Sequence, residues 1–158
     1  MSLQPPALDP KSLAPYTGCG YPEPYRARVL PREVRRVGDA LGLTRIGINV
    51  TTLAPGRESS MRHWHTHEDE FVYVLEGELS LRTDAGEQPL TAGMCAGFPA
   101  GSRDGHQLVN RGARPALYMV VSNRDPEDMA HYSDADVDLM WNAPHARGRM
   151  TRRDGTPY

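Results

Sequence analysis

The sequence is almost without lysine. Of the 18 basic residues in its 158 positions, 17 are arginines and one, Lys11, is a lysine. Enzymes that form Schiff bases and P-loop nucleotide-binding proteins need a lysine inside the folded site. Lys11 lies in a proline-rich N-terminal segment, so the sequence nearly excludes both classes.

The sequence also has a small net charge, few cysteines and no long apolar run. The net charge of −2 argues against nucleic-acid binding, which usually requires a basic excess. Two cysteines are too few for a disulfide framework, and Cys95 is expected to be a small core residue. The apolar run Leu117–Val121 is too short to cross a membrane, and the N-terminus shows no signal peptide. We therefore expect a cytoplasmic protein with no nucleic-acid or membrane partner.

Glycine and proline are abundant, and their placement divides the chain. Residues 1–33 contain seven prolines and are predicted to form an extended N-terminal arm. Residues 34–122 carry short β-like segments separated by glycine turns and are predicted to form one domain. Residues 123–158, first acidic and then basic, form a C-terminal arm. A helix over Pro31–Leu41 is an alternative that Gly38 and the lack of an apolar face disfavour.

Closely spaced strands without intervening amphipathic helices indicate an all-β, antiparallel sandwich or barrel. The segment Arg45–Leu53 shows the expected alternation, with isoleucines and a valine on one face and polar residues on the other. The other expected strands are Glu70–Leu75, Leu79–Thr83, Gln88–Leu90, Cys95–Phe98, His106–Val109 and Ala116–Val121.

Three of the six histidines lie within five residues, at positions 63, 65 and 67. In a strand, His63 and His65 would face the same side. Glu70, at the head of the next strand, and His106, after a glycine turn, could complete a site with them. Three imidazoles and one carboxylate suit one divalent ion of zinc, iron, manganese, nickel or copper.

The spacing of these residues resembles the first motif of the cupin superfamily. Six residues separate Gly56 from His63, four separate His65 from Glu70, and six separate Glu70 from Gly77. Each of these residues occupies a position of that motif.

The segment Gly93–Asn110 resembles the second cupin motif. Five residues separate Gly93 from Pro99, and three separate His106 from Asn110. Four residues lie between Gly101 and His106, where the motif has two. The resemblance implies a double-stranded β-helix (a jelly-roll barrel) with a central metal bound by His63, His65, Glu70 and His106, often assembled as a homodimer.

Neighbouring residues receive further predicted roles. Strand parity places Met61, Val72, Val74 and Leu108 on the ligand face, where they would line the cavity. His67 is expected to support a ligand from behind, to lie at the pocket mouth or to be solvated. Arg45, Arg82 and Arg103 are candidates for binding an anionic substrate, and His131 and His145 are expected to be solvated.

Three functions fit these features. The first is a metal-dependent enzyme that acts on a small organic substrate, as a sugar-phosphate isomerase or a dioxygenase does. The second is a module that binds a small molecule, such as a sugar, without catalysis; the apolar lining and the lack of an evident general base favour it. The third is a structural role in which the arms mediate dimerisation. The residues alone identify neither the metal nor the reaction.

Overall fold

The computed structural model describes residues 3–144 and 148–158, and these fold mainly into antiparallel β-strands. The strands are β1 (Arg32–Arg36), β2 (Ile46–Leu53), β3 (His63–His65), β4 (Glu70–Glu76), β5 (Glu78–Thr83), β6 (Gly86–Thr91), β7 (Cys95–Phe98), β8 (Gln107–Val109), β9 (Ala116–Asn123), β10 (Ala130–Tyr132), β11 (Met140–Trp141) and β12 (Met150–Thr151). Two short α-helices, α1 (Tyr25–Val29) and α2 (Val37–Ala40), and a 3₁₀ turn at Pro10–Ser12 complete the described elements. None of these helices has the length and apolar character needed to cross a lipid bilayer.

Two sheets form the body of the domain. One has the strand order β1-β2-β9-β4-β7, and the other has the order β6-β5-β8. Strand β3 pairs with β10 and reaches the second sheet through a bridge between His63 and His106. These antiparallel sheets confirm the predicted all-β jelly-roll fold.

The main core lies between the two sheets. Apolar side chains alternate into it from strands of both sheets, as period-two patterning requires. Its buried members are Leu53, Val72, Val74, Leu79, Leu81, Leu90, Leu108, Ala116 and Tyr118. Gly77 connects β4 to β5 with φ at +81°, and a β-carbon there would lie 3.2 Å from the Cα of Ala116. Glycine at this motif position therefore relieves both backbone strain and a close contact.

The region from Arg32 to Ala40 is mainly strand and not the alternative helix. Arg32–Arg36 pairs along its whole length with β2, and α2 occupies only the four residues that follow. Because β1 begins at Arg32, the sheet includes the last two residues assigned by sequence to the N-terminal arm.

A second core joins the two arms. Tyr21, Tyr25 and Val29 from the N-terminal arm pack with Val137 and Leu139 from the C-terminal arm. The aromatic rings of Tyr21 and Tyr25 supply the apolar area that anchors the N-terminal arm to the domain.

The two cysteines differ from expectation. Cys19 is buried in the second core, whereas Cys95 is exposed. The expected core role of Cys95 is wrong, because Cys95 begins β7, a strand at the edge of the five-stranded sheet.

Candidate metal centre

Backbone pairing brings the predicted ligands together. His63 and His65 flank Trp64 on β3 and therefore share one face of that strand. His106 directly precedes β8 and exchanges two backbone hydrogen bonds with His63, of 2.8 and 3.1 Å. Glu70 is the first residue of β4. Backbone pairing thus brings together residues that are spread over 44 positions of sequence.

Three imidazoles lie around the Glu70 carboxylate. One ligand atom from each of His63, Glu70 and His106 lies within 4.8 Å of the other two. Nε2 of His106 is 3.3 Å from one Glu70 oxygen, and Nε2 of His65 is 3.8 Å from the other. The His63 ring centroid lies 4.9 Å from that of His65 and 4.8 Å from that of His106. The longer turn before His106 does not displace it from the cluster.

Hydrogen bonds orient the two imidazoles of β3. Nδ1 of His63 lies 2.9 Å from the backbone carbonyl of Met61, which can only accept. Nδ1 of His65 lies 2.6 Å from a carboxylate oxygen of Asp128. Each Nδ1 therefore carries a proton, which leaves Nε2 as the nitrogen that can bind a metal.

The side chain of His106 is oriented by packing. Its ring is stacked on that of Phe98, with centroids 3.6 Å apart. Its Nδ1 is buried and has no hydrogen-bond partner among the described residues. Nε2, which faces Glu70, is therefore the nitrogen available for ligation.

The protonation states suit a cation. Burial, together with the neighbouring His106, lowers the pKa of His63 to about 3, so this imidazole is neutral at neutral pH. Burial alone would raise the pKa of Glu70, but the hydrogen bond with His106 and the surrounding imidazoles outweigh it and lower that pKa to about 2. Neutral imidazole and ionised carboxylate are the forms that bind a divalent ion. His63, Glu70 and His106 therefore fit the metal centre that the resemblance implies, and His65 lies beside them through Glu70, while its own nearest group of possible ligands includes Glu68 and Asp128.

Asp128, which sequence reasoning missed, lies directly behind this site. It is fully buried, and its second oxygen accepts the backbone N–H groups of His67 and Glu68, at 2.9 and 3.2 Å. Burial opposes ionisation, but the hydrogen bonds from His67 and His65 lower the pKa of Asp128 below its ordinary value. No local pattern marks Asp128, which is 63 residues from His65 and lies in an acidic stretch that resembles a solvated surface.

A cavity of about 220 Å³ opens on the cluster. Its lining is more polar than the predicted one, because β1, β2 and the loop before β3 supply an arginine, an amide and several hydroxyls. The lining residues are Arg32, Val34, Asn49, Thr51, Ser59, Ser60, His63, Glu70, Val72, His106, Leu108, Tyr118 and Val120.

Two of the four predicted lining residues are not part of this cavity. Val72 and Leu108 line it as expected, but Met61 and Val74 do not. Met61 precedes β3 in an irregular segment, where strand parity does not apply, and its side chain packs in the second core. Val74 is fully buried in the main core, deeper in the sandwich than Val72.

The remaining predicted residues lie outside the cavity lining. The His67 side chain is exposed and forms a hydrogen bond with the hydroxyl of Thr66, whereas Asp128 is the residue that supports His65. Arg45 is exposed, Arg82 bonds to Gln107, and Arg103 lies over the Trp64 ring. His131, expected to be solvated, is stacked on Trp64 with centroids 4.4 Å apart. His145 lies outside the described residues.

Known proteins are similar to this chain in sequence and in fold. The model of the Cupin domain family matches residues 49–122. A crystal structure of a sugar phosphate isomerase of the cupin superfamily from Silicibacter pomeroyi is 44% identical, with a TM-score of 0.89. The match covers 97% of this chain and 96% of that one. Among curated proteins, none matches the chain significantly.

Two further solved structures are similar over most of their length. A protein provisionally named a sugar phosphate isomerase, from Acidithiobacillus ferrooxidans, is 28% identical, with a TM-score of 0.70 over 78% of this chain and 77% of that one. The polyketide cyclase RemF from Streptomyces resistomycificus is 17% identical, with a TM-score of 0.63 over 82% and 87% of the two chains. The similarity to RemF shows the shared fold alone.

Proposed function

From the premise that the chain belongs to the cupin superfamily, we propose that it is a metal-dependent enzyme that isomerises a small hydroxylated carbonyl compound. The observation that carries this proposal is that His63, Glu70 and His106 line the same small cavity, whose lining mixes polar and apolar side chains. The name of the Silicibacter pomeroyi relative, a sugar phosphate isomerase, supports the isomerase reaction and a substrate of the sugar-phosphate class.

Nε2 of His63, His65 and His106 and the carboxylate of Glu70 would hold the ion. A divalent ion at this position supplies a Lewis acid that polarises a carbonyl oxygen. This ligand set accepts zinc, iron, manganese, nickel and copper, so metal supply and cavity chemistry decide between them.

Residues around the ligands would bind the rest of the substrate. Burial raises the pKa of Tyr118 to about 12, so its hydroxyl remains protonated at neutral pH and can donate a hydrogen bond or a proton. Thr51 and Ser59 lie beside this hydroxyl. Together with the amide of Asn49 they form a polar surface that suits the hydroxyl groups of a substrate.

A non-catalytic binding module is the second candidate, and one observation favours it. An arginine side chain has no acceptor atom, and Tyr118 stays protonated at neutral pH, so the remaining proton acceptors among the described lining residues are metal-ligand candidates. The pKa of Glu70, about 2, makes this carboxylate a weak base. Isomerisation needs a base that removes a proton next to the carbonyl, whereas binding needs none.

Metal content and turnover test the proposal together. Protein purified without an affinity tag should contain about one divalent ion per chain and should interconvert at least one aldose–ketose phosphate pair, followed by NMR. The variants His63→Ala and Glu70→Gln should lose the metal and the turnover. His67→Ala, which removes an exposed imidazole from the same segment, should keep both.

Two results would decide against isomerisation. Tight ligand binding without any product would establish the binding module. Metal content that is negligible in the wild type, or the same in all three variants, would exclude the proposed centre.

A further inference from the structure

Arg32 lines the cavity, and its guanidinium forms no ion pair with a carboxylate of the described residues. Its Nη1 donates to the backbone carbonyl of Ser59 at 2.7 Å, and this is its one hydrogen bond among the described residues. Its Nε is buried without a partner. The nearby Arg28 and Arg35, in contrast, pair with Glu58 at 2.8 Å and Glu33 at 3.1 Å.

Short contacts connect Arg32 with the metal centre. The hydroxyl of Ser59, whose carbonyl binds Arg32, lies 3.3 Å from that of Ser60. The Ser60 hydroxyl lies 3.3 Å from Nδ1 of His63. Arg32 and His63 both line the cavity, so one small molecule can contact both.

The charges of the cavity call for an anion. A divalent ion and the Arg32 guanidinium outweigh the carboxylates of Glu70 and of Asp128 behind His65, which leaves an excess of about one positive charge. A charge removed from water without a counter-charge is costly, and a bound anion would reduce that cost. The planar guanidinium matches the oxygens of a phosphate or a carboxylate.

We propose that Arg32 binds the anionic group of the substrate, a phosphate ester or a carboxylate, while the remainder of the molecule reaches His63 and Glu70. This inference rests on the proposed function and adds to it the residue that selects charged over neutral substrates. The cavity volume of about 220 Å³ is below the usual range for drug-sized ligands, so the substrate is small.

Calorimetric titrations of three related compounds test the role of Arg32. Glycerol 3-phosphate, glycerate and glycerol carry a phosphate, a carboxylate and no charge, and each is titrated into the metal-loaded wild type and into Arg32→Gln. The variant should bind the preferred anion about 10- to 100-fold more weakly, the usual effect of losing a charge-assisted hydrogen bond. The weak binding of glycerol should not change. The anion that shows the larger loss identifies the group, and Arg45→Gln, at an exposed arginine, should bind all three as the wild type does.

A second variant, Arg32→Lys, and a second condition, metal-free protein, allow the possible outcomes to be distinguished. Arg32→Lys keeps the charge but lacks the planar guanidinium group, so its affinity for the anion should lie between those of the wild type and Arg32→Gln. This variant also tests the inference if Arg32→Gln folds poorly. The same titrations on metal-free protein separate this inference from the proposed function. If the metal-free protein binds the anion and the binding depends on Arg32, the inference holds even if the protein catalyses no reaction. Equal anion affinity in the wild type and Arg32→Lys and Arg32→Gln, or an equal loss in Arg45→Gln, would overturn the inference.

Discussion

Replacing Asp128 by asparagine should weaken metal binding without removing any metal ligand. Asp128 is fully buried, and the oxygen that faces His65 lies 2.6 Å from Nδ1. The single side-chain oxygen of asparagine can accept the backbone N–H groups of His67 and Glu68. In that orientation its NH₂ group faces His65. The NH₂ group is a donor, so Nδ1 must become an acceptor and the ring proton moves to Nε2. The lone pair that would bind the metal is then lost.

The expected loss in metal affinity is about 10- to 100-fold, the usual cost of removing a hydrogen-bond partner behind a metal-binding histidine. This corresponds to about 1.4 to 2.7 kcal/mol. Competition with a chromophoric chelator measures the affinity, and thermal unfolding of the metal-free protein monitors folding. Asp136→Asn removes an exposed carboxylate from the same arm and should leave the metal affinity unchanged. A folded Asp128→Asn protein with wild-type metal affinity would refute the reasoning.

Three further predictions concern the pH dependence of stability, the main core and the oligomeric state. The folded pKa of His63, about 3, lies below the ordinary value near 6.5, so the unfolded chain binds more protons between these values. Metal-free protein should therefore lose stability as the pH falls from about 6.5 toward 3, and chemical denaturation should show a shallower loss for His63→Asn. Leu79→Ala, at a fully buried core position, should destabilise the protein by about 2–5 kcal/mol in the same assay. The homodimer implied by the family resemblance remains a prediction; light scattering should give twice the chain mass, and Phe71→Glu, on an exposed apolar face of the five-stranded sheet, should give the monomer mass.

The four ligand candidates could be predicted because their placement depends on local rules. Alternation along β3 puts His63 and His65 on one face, and the glycine at position 77 fixes the turn that follows β4. The spacing between the two motifs then determines which strands meet. The exchange of backbone hydrogen bonds between His63 and His106 is the structural counterpart of that spacing.

The lining of the cavity could not be predicted by the same rules. Parity arguments place apolar residues inside and polar residues outside, and this reasoning gave Val72 and Leu108 correctly. Asn49 and Thr51 are exceptions, because the polar face of β2 points into the cavity, where a bound ligand can form hydrogen bonds with it. Arg32 escaped prediction for a different reason, since the prolines before it suggested an arm and not the first strand of a sheet.

The contributions of the arms were the hardest to foresee, because they depend on contacts between distant segments. Asp128, from the C-terminal arm, fixes the proton on His65. On the other side, the N-terminal arm places the hydroxyl of Tyr21 3.3 Å from the backbone N–H of Met61, whose carbonyl fixes the proton on His63. Each arm therefore supports one histidine of the His-x-His pair. The barrel strands bring the ligand candidates together, whereas the arms support the orientation of His65 directly, through Asp128, and that of His63 indirectly, through Met61, so changes in the arms should alter metal affinity before they alter the fold.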